Sequence, residues 1–349
     1  MMQVMPGRKG RVVSLRYTKL IAIAAVGSML LSMITACEKQ SAVEKPKQEL
    51  ITTKTDDTKK VEPTRVGKQM VIGASLLDFK NEFIMNLRDA MEKRAEMLGV
   101  KLIVSDGQNS AEKQISQVEN FIAKKVDVII INPTSFDNCK SAIEAANKAN
   151  IPILTVNTLV ANQDKCVTFV GSDAVESGML QMEYAARLLN GKGNIVILRG
   201  QNGHDAEIGR RKGTQEILNQ YKNINVMYEQ SGNWTRVEGM AIIENLLQSG
   251  KQIDAVLSQN DEMALGAIKA LEDAGQLNKT LVFGIDAIPE ALKAMEEGKM
   301  AGTVFQDATG QGAGAVDAAM KIARGGEVEP KIFIPYVLVT KENLNNYLR

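Results

Sequence analysis

The sequence predicts an α/β protein made of two doubly wound parallel sheets in succession. Three observations carry this. Apolar runs short enough for strands alternate with amphipathic stretches of helical length from residue 70 almost to the C-terminus. The strand runs are continuous Val/Ile/Leu rather than alternating, as strands covered on both faces require. The segment 69–349 is also too long for one core and suits two domains.

The elements follow in order. Met70–Leu76 (MVIGASL) reads as a buried strand. Ile84, Leu87, Met91, Ala95 and Leu98 then recur at steps of three and four, an amphipathic helix that Gly99 stops. Strand Lys101–Ser105, a helix over 111–124, strand Asp127–Asn132, a helix over 137–150 and strand Ile153–Asn157 complete the first set. Polar residues close its strands: Asp106, Asn132 and Asn157. Ligands of open parallel sheets bind beyond the carboxyl ends of strands, so these positions are candidate ligand groups. The second set begins near Asp173. Its helices are expected over 176–189, 208–220, 236–248 and 262–274, and its strands over 194–199, 225–229, 255–258 and 281–285. A further unit follows: helix 289–297, strand 302–306, helix 313–323 and strand 335–339.

The N-terminus carries a basic stretch (Arg8, Lys9, Arg11, Arg16, Lys19), an uncharged run from Leu20 to Ala36, and the sequence Ile34-Thr35-Ala36-Cys37. A basic region, an apolar core and small residues before a cysteine describe a lipoprotein export signal. Residues 1–36 are therefore expected to be cleaved, and the thiol of Cys37 to receive the lipid. The bland alternative is an uncleaved anchor; either places the rest outside the cytoplasm. Residues 37–68 lack aromatics and are rich in Lys, Thr, Glu and Gln, which reads as a tether.

Lys and Arg number 42 and Asp and Glu 41, so bulk charge gives no reason to expect nucleic acid. Beyond Cys37 the chain has two cysteines, Cys139 and Cys166, which in an oxidising compartment either pair or stay as separate buried thiols. One histidine and no Cys-x-x-Cys leave a metal centre or a hydrolytic triad without support. Gly310-x-Gly312-x-x-Ala315 has the spacing of a dinucleotide fingerprint, but it follows a loose turn and no acidic strand end comes later. Packing of a small-residue helix face on the sheet explains it better. No cofactor is expected.

Two loops stand out. Gly203-His204-Asp205-Ala206-Glu207, with Arg210 beyond, follows a strand. It reads as a helix cap with Asp205 at the cap position, as a ligand contact, or as both. Trp234, the one tryptophan, lies in Ser231-Gly232-Asn233-Trp234 after another strand. It is either a core plug or a flat apolar face for a sugar ring. Phe83 is either the opposite face or a core anchor.

Val170-Gly171-Ser172-Asp173, Gln259-Asn260-Asp261-Glu262-Met263-Ala264-Leu265-Gly266 and Phe283-Gly284-Ile285-Asp286-Ala287-Ile288-Pro289-Glu290 give the chain a family likeness. Over about residues 69–349 it resembles the periplasmic monosaccharide-binding proteins of the ribose and galactose/glucose group. The resemblance implies two lobes, 69–172 with 307–334 and 173–306 with 335–349, closing about a hinge of three strands. It implies ring stacking by Phe83 and Trp234. Hydroxyl contacts would fall to Asn81, Asn132, His204, Asp205, Arg210, Asn260, Asp286 and Gln306, with Asn157 at a position the ribose branch uses. The chain departs from the galactose/glucose branch in three places. Its first loop carries Asn81 where that branch has an acid, no proline separates His204 from Asp205, and the turn 190–194 has no carboxylate. Calcium is therefore not expected.

The expectation is a monomeric, non-catalytic, lipid-anchored solute-binding protein holding a monosaccharide or polyol for the permease of an ABC-type importer. The serious alternative hands the ligand to a chemoreceptor or sensor kinase. A repressor would need a helix-turn-helix where the export signal stands.

Overall fold

A computed structural model describes residues 69–348. The expected export signal, Cys37 and the tether lie outside the described residues. The first sheet is built by β1 (Val71–Leu76), α1 (Glu82–Met97), β2 (Lys101–Asp106), α2 (Ala111–Ala123), β3 (Val128–Ile131), α3 (Lys140–Lys148), β4 (Ile153–Val156) and β5 (Phe169–Gly171). The chain then crosses into α4 (Ala174–Leu188), β6 (Lys192–Arg199), α5 (Asp205–Leu218), β7 (Asn223–Ser231), α6 (Arg236–Gln248), β8 (Ala255–Ser258), α7 (Asp261–Asp273), β9 (Leu281–Phe283), α8 (Pro289–Glu296) and β10 (Thr303–Phe305). It returns through α9 (Ala308–Ala323) and β11 (Lys331–Phe333), and crosses a third time to β12 (Val337–Val339).

All pairings of the six-stranded sheet, in the order β11-β5-β4-β3-β1-β2, are parallel. The second sheet, β7-β6-β8-β9, is parallel too. Antiparallel β10 and β12 extend it through the bridges Phe283–Gly302 and Asp286–Phe305. Helices cover both faces of each sheet. On one side of the first sheet, Leu87 and Met91 of α1 and Ala315 and Ala319 of α9 are buried with Leu76. On the other, Val118 and Phe121 of α2 meet Ile143 of α3. Burial on both faces is why β3 is pure Val-Ile-Ile-Ile.

The structure corrects several expectations. β5 and β11 were not expected as strands: each has three residues, and β11 is an edge strand with an exposed pattern that gives no periodic signal. α5 starts at Asp205, not 208, and α9 at Ala308, not 313. In both, polar or small first turns hide the helix from apolar periodicity. α3 starts late, at Lys140. The small-residue helix α9 packs on the sheet as expected, while its Gly312 faces α1, where an added Cβ would lie 2.5 Å from the Leu87 carbonyl oxygen. Cys139 and Cys166 are separate thiols. Cys139 is buried against Gln114 and Thr134, and burial pushes the Cys166 thiol up to about 12.

Candidate functional site

The carboxyl ends of both sheets face one cavity. The β1–α1 loop and first turn of α1 supply Leu77, Asn81, Phe83 and Ile84, and the end of β4 supplies Asn157. From the other lobe come His204, Ala206 and Arg210 of α5 and its cap, Trp234 after β7, Asn260 after β8, Asp286 after β9 and Gln306 after β10. Nine of the eleven expected residues thus line one cavity.

Arg210 organises the centre. It is only 4% exposed, because Gly178 of α4 lets α5 approach closely: a Cβ there would lie 2.1 Å from the Arg210 carbonyl oxygen. Its Nη2 donates to Gln306 Oε1 (2.8 Å) and to Tyr336 Oη (3.4 Å). Its Nη1 donates to the Gln259 carbonyl. Asp286 Oδ1 stands 3.6 Å away. Burial pushes the Asp286 carboxyl well above its ordinary range, and Arg210 opposes that shift. The pair sets a carboxyl group and a guanidinium side by side in the wall.

Backbone strain aims Asp286. Its φ is +127° and that of Ala287 is +57°, conformations costly for non-glycine residues. Neighbours hold them there. Asp286 N donates to Val304 O (2.8 Å), Thr303 Oγ1 accepts from Ala287 N (3.3 Å), and Asp261 accepts from Ile288 N (3.0 Å) and Thr303 Oγ1 (2.7 Å).

Trp234 is held in the same way, with φ +67° after Asn233 at +49°. Its carbonyl accepts from Asn260 Nδ2 (3.1 Å). Its ring stands edge-on to His204, with centroids 5.4 Å apart, and the Arg210 guanidinium lies 5.6 Å from the ring centre. Gly200 leaves the room: a Cβ there would be 1.9 Å from the ring.

His204 is the cap of α5, where Asp205 had been expected: its Nδ1 accepts from Ala206 N (3.2 Å). That leaves the proton on Nε2, 3.4 Å from Thr158 Oγ1 in the other lobe. Burial first, then Arg210, lowers its pKa to about 3, so the imidazole is neutral. Asn81 caps α1, with Oδ1 accepting from Ile84 N (3.2 Å), and Asn260 caps α7. Both amides double as cavity wall. Phe83 belongs to the core under α1 and also lines the cavity.

Asn132 and Asp205 are not among the lining residues. Asn132 is wholly buried. It accepts from Leu77 N (3.2 Å) and donates to Val156 O (3.2 Å) and Thr158 Oγ1 (3.1 Å), so it fixes the loops around the site. The Asp205 carboxylate accepts from Leu159 N (3.3 Å) across the lobes. Leu77, Ile84 and Ala206 were missed, since nothing separates a lining aliphatic from a core one in sequence. Tyr336 and Gln259, which hold Arg210, were missed as well. No cluster able to hold a metal ion occurs among the described residues.

Residues 72–327 match the periplasmic binding protein domain family. The chain is 42% identical to a Rhizobium meliloti protein named for rhizopine binding, over 79% of this chain and 92% of that one. It is 34% identical to the ribose import binding protein of Escherichia coli, over 75% and 88%. Among solved structures, an ABC transporter solute-binding protein of Bacillus halodurans with bound myo-inositol superposes with a TM-score of 0.79 at 45% identity, covering 81% of this chain and 99% of that one. With two wound sheets, three crossings and a polar cavity between them, the chain belongs to the periplasmic binding protein family, among its type I monosaccharide-binding members.

Proposed function

We propose that this protein is the extracytoplasmic receptor of an ABC-type sugar importer, capturing one neutral, hydroxyl-rich ring between its lobes and catalysing nothing. Inositol-type cyclitols are the first candidates. The carrying observation is the wall itself: amides, a neutral imidazole and the adjoining Arg210 and Asp286 beside Phe83 and Trp234. A hydroxyl both donates and accepts, so it satisfies amides, a carboxylate and a guanidinium alike. The rim of a cyclitol is all hydroxyl, and its C–H face suits an aromatic ring. The myo-inositol held by the Bacillus halodurans structure favours the same class. Ligand touching both lobes stabilises the closed state over the open one, and a permease reads the closed state. The Ile34–Cys37 sequence supports lipid attachment at Cys37, with 37–68 as the tether.

A thermal-shift screen of the purified protein against inositols, pentoses, hexoses and amino acids tests this. A ligand at about 100 times its Kd adds about 2.7 kcal/mol. The expected result is a clear rise with a cyclitol or closely related ring. A rise with an amino acid alone would overturn the reading.

A further inference from the structure

A second chamber of about 300 Å³ opens off the inner cavity, and Leu77, Asn81 and Trp234 line both. That volume is at the small end of ligand cavities, roughly 300–1,000 Å³. It too lies between the lobes, with Asn109 on one side and Gln201 on the other. We propose that this outer chamber is a second subsite, taking a neutral glycosyl substituent carried on the ring in the inner site. The ligand class then includes glycosylated cyclitols as well as the free ring. The proposal rests on the reading of the inner site as a polyol site.

Charge argues for a neutral substituent. The chamber's ionic groups are two cations, Lys80 and Arg236, and two carboxylates, Asp78 and Glu262, which cancel. Arg236 is already engaged, donating to Glu262 (2.9 Å) and to both oxygens of Glu290 (2.8 Å each). Lys80 and Asp78 stand two residues apart, with Asp78 Oδ1 accepting from Lys80 N (3.0 Å), so an added charge meets one group of each sign there. Hydrogen bonding argues for hydroxyls. Two buried polar atoms on lining residues have no partner: the acceptor Gln201 Oε1 and the donor Trp234 Nε1. Such atoms are rare in folded proteins and point to a partner from outside the chain. An alkyl or aryl substituent leaves both unanswered; a sugar brings groups that donate and groups that accept. The indole ring, shared by both chambers, offers apolar surface to either ring.

Calorimetric titration with myo-inositol and with its α-galactoside tests this, on the wild type and on Gln201→Ala and Asn109→Ala, neither of which lines the inner cavity. The expected result is that both ligands bind wild type, and that Gln201→Ala weakens the galactoside about tenfold while myo-inositol stays within about twofold. Asn109→Ala gives the same selectivity from the other lobe if Gln201→Ala does not fold. Binding of myo-inositol without the galactoside overturns the subsite and leaves the inner-site reading standing. Binding of both with no selective loss in either variant overturns the assignment to this chamber. Binding of neither overturns the inner-site reading and the subsite with it.

Discussion

The two walls of the cleft differ in kind. The first lobe contributes Asn81, Phe83 and Asn157, with Leu77 and Ile84, and no charge. The second contributes Arg210, Asp286, His204 and Trp234, all buried or packed on one another, with two loops held at positive φ. Polar groups fixed in place before ligand arrives cost little to reorganise on binding. On the proposed function, the second lobe is the grip and the first the lid.

Asp286→Ala should break this contrast most strongly. Losing one member of this buried pair costs about 3–5 kcal/mol of stability, and the lost affinity is read separately by calorimetry at a temperature where circular dichroism shows the fold retained. Wild-type affinity in that variant would remove the grip. Trp234→Ala follows at about 2 kcal/mol. Gly200→Ala should imitate it without touching ligand, because the new methyl would stand where the indole is. If Gly200→Ala binds normally, the ring is not fixed as described.

Proton linkage sharpens the comparison further. The folded pKa of His204, about 3, lies below its ordinary 6.5. Its neutral form therefore adds stability in full above pH 6.5. That stability is lost as pH falls from 6.5 toward 3, because the unfolded chain takes up a proton the folded one refuses. The slope is at most about 1.4 kcal/mol per pH unit. Asp261 has the opposite sign: raised to about 7, it adds stability below the ordinary carboxyl range that is lost as pH rises through 7. The His204 effect is therefore read as the difference between wild-type and His204→Asn denaturation curves: below pH 6.5 the wild type should lose stability relative to the variant. Parallel curves would mean that the imidazole takes up its proton in the fold as readily as in the unfolded chain. The smallest effect belongs to the lid: Asn81→Ala should cost about 1 kcal/mol of stability as a lost cap, with a modest loss of affinity.

The contrast also explains what sequence could convey. Trp234 follows a strand end, where the topology makes an aromatic side chain suspect, and so it was legible from the sequence alone; Arg210, Asn260 and Asp286 were legible only through the family resemblance. Asn132 and Asp205 stand at similar positions but turn to hold neighbouring loops and the opposite lobe. Which way such a side chain turns depends on partners distant in sequence, Leu77 and Leu159, that no local pattern exposes. The separate Cys139 and Cys166 make the same point, since an even count says nothing of geometry. Short β5 and β11 needed a neighbour in space to be recognised as strands.

Trp234 is the one tryptophan in the chain and lines the cavity, which makes its fluorescence a direct reporter. Titration with myo-inositol should give a saturable emission change that fits one site and the same Kd as calorimetry, and Asp286→Ala should abolish it. Heat of binding without any change in tryptophan emission would place the ligand away from the indole and contradict the account.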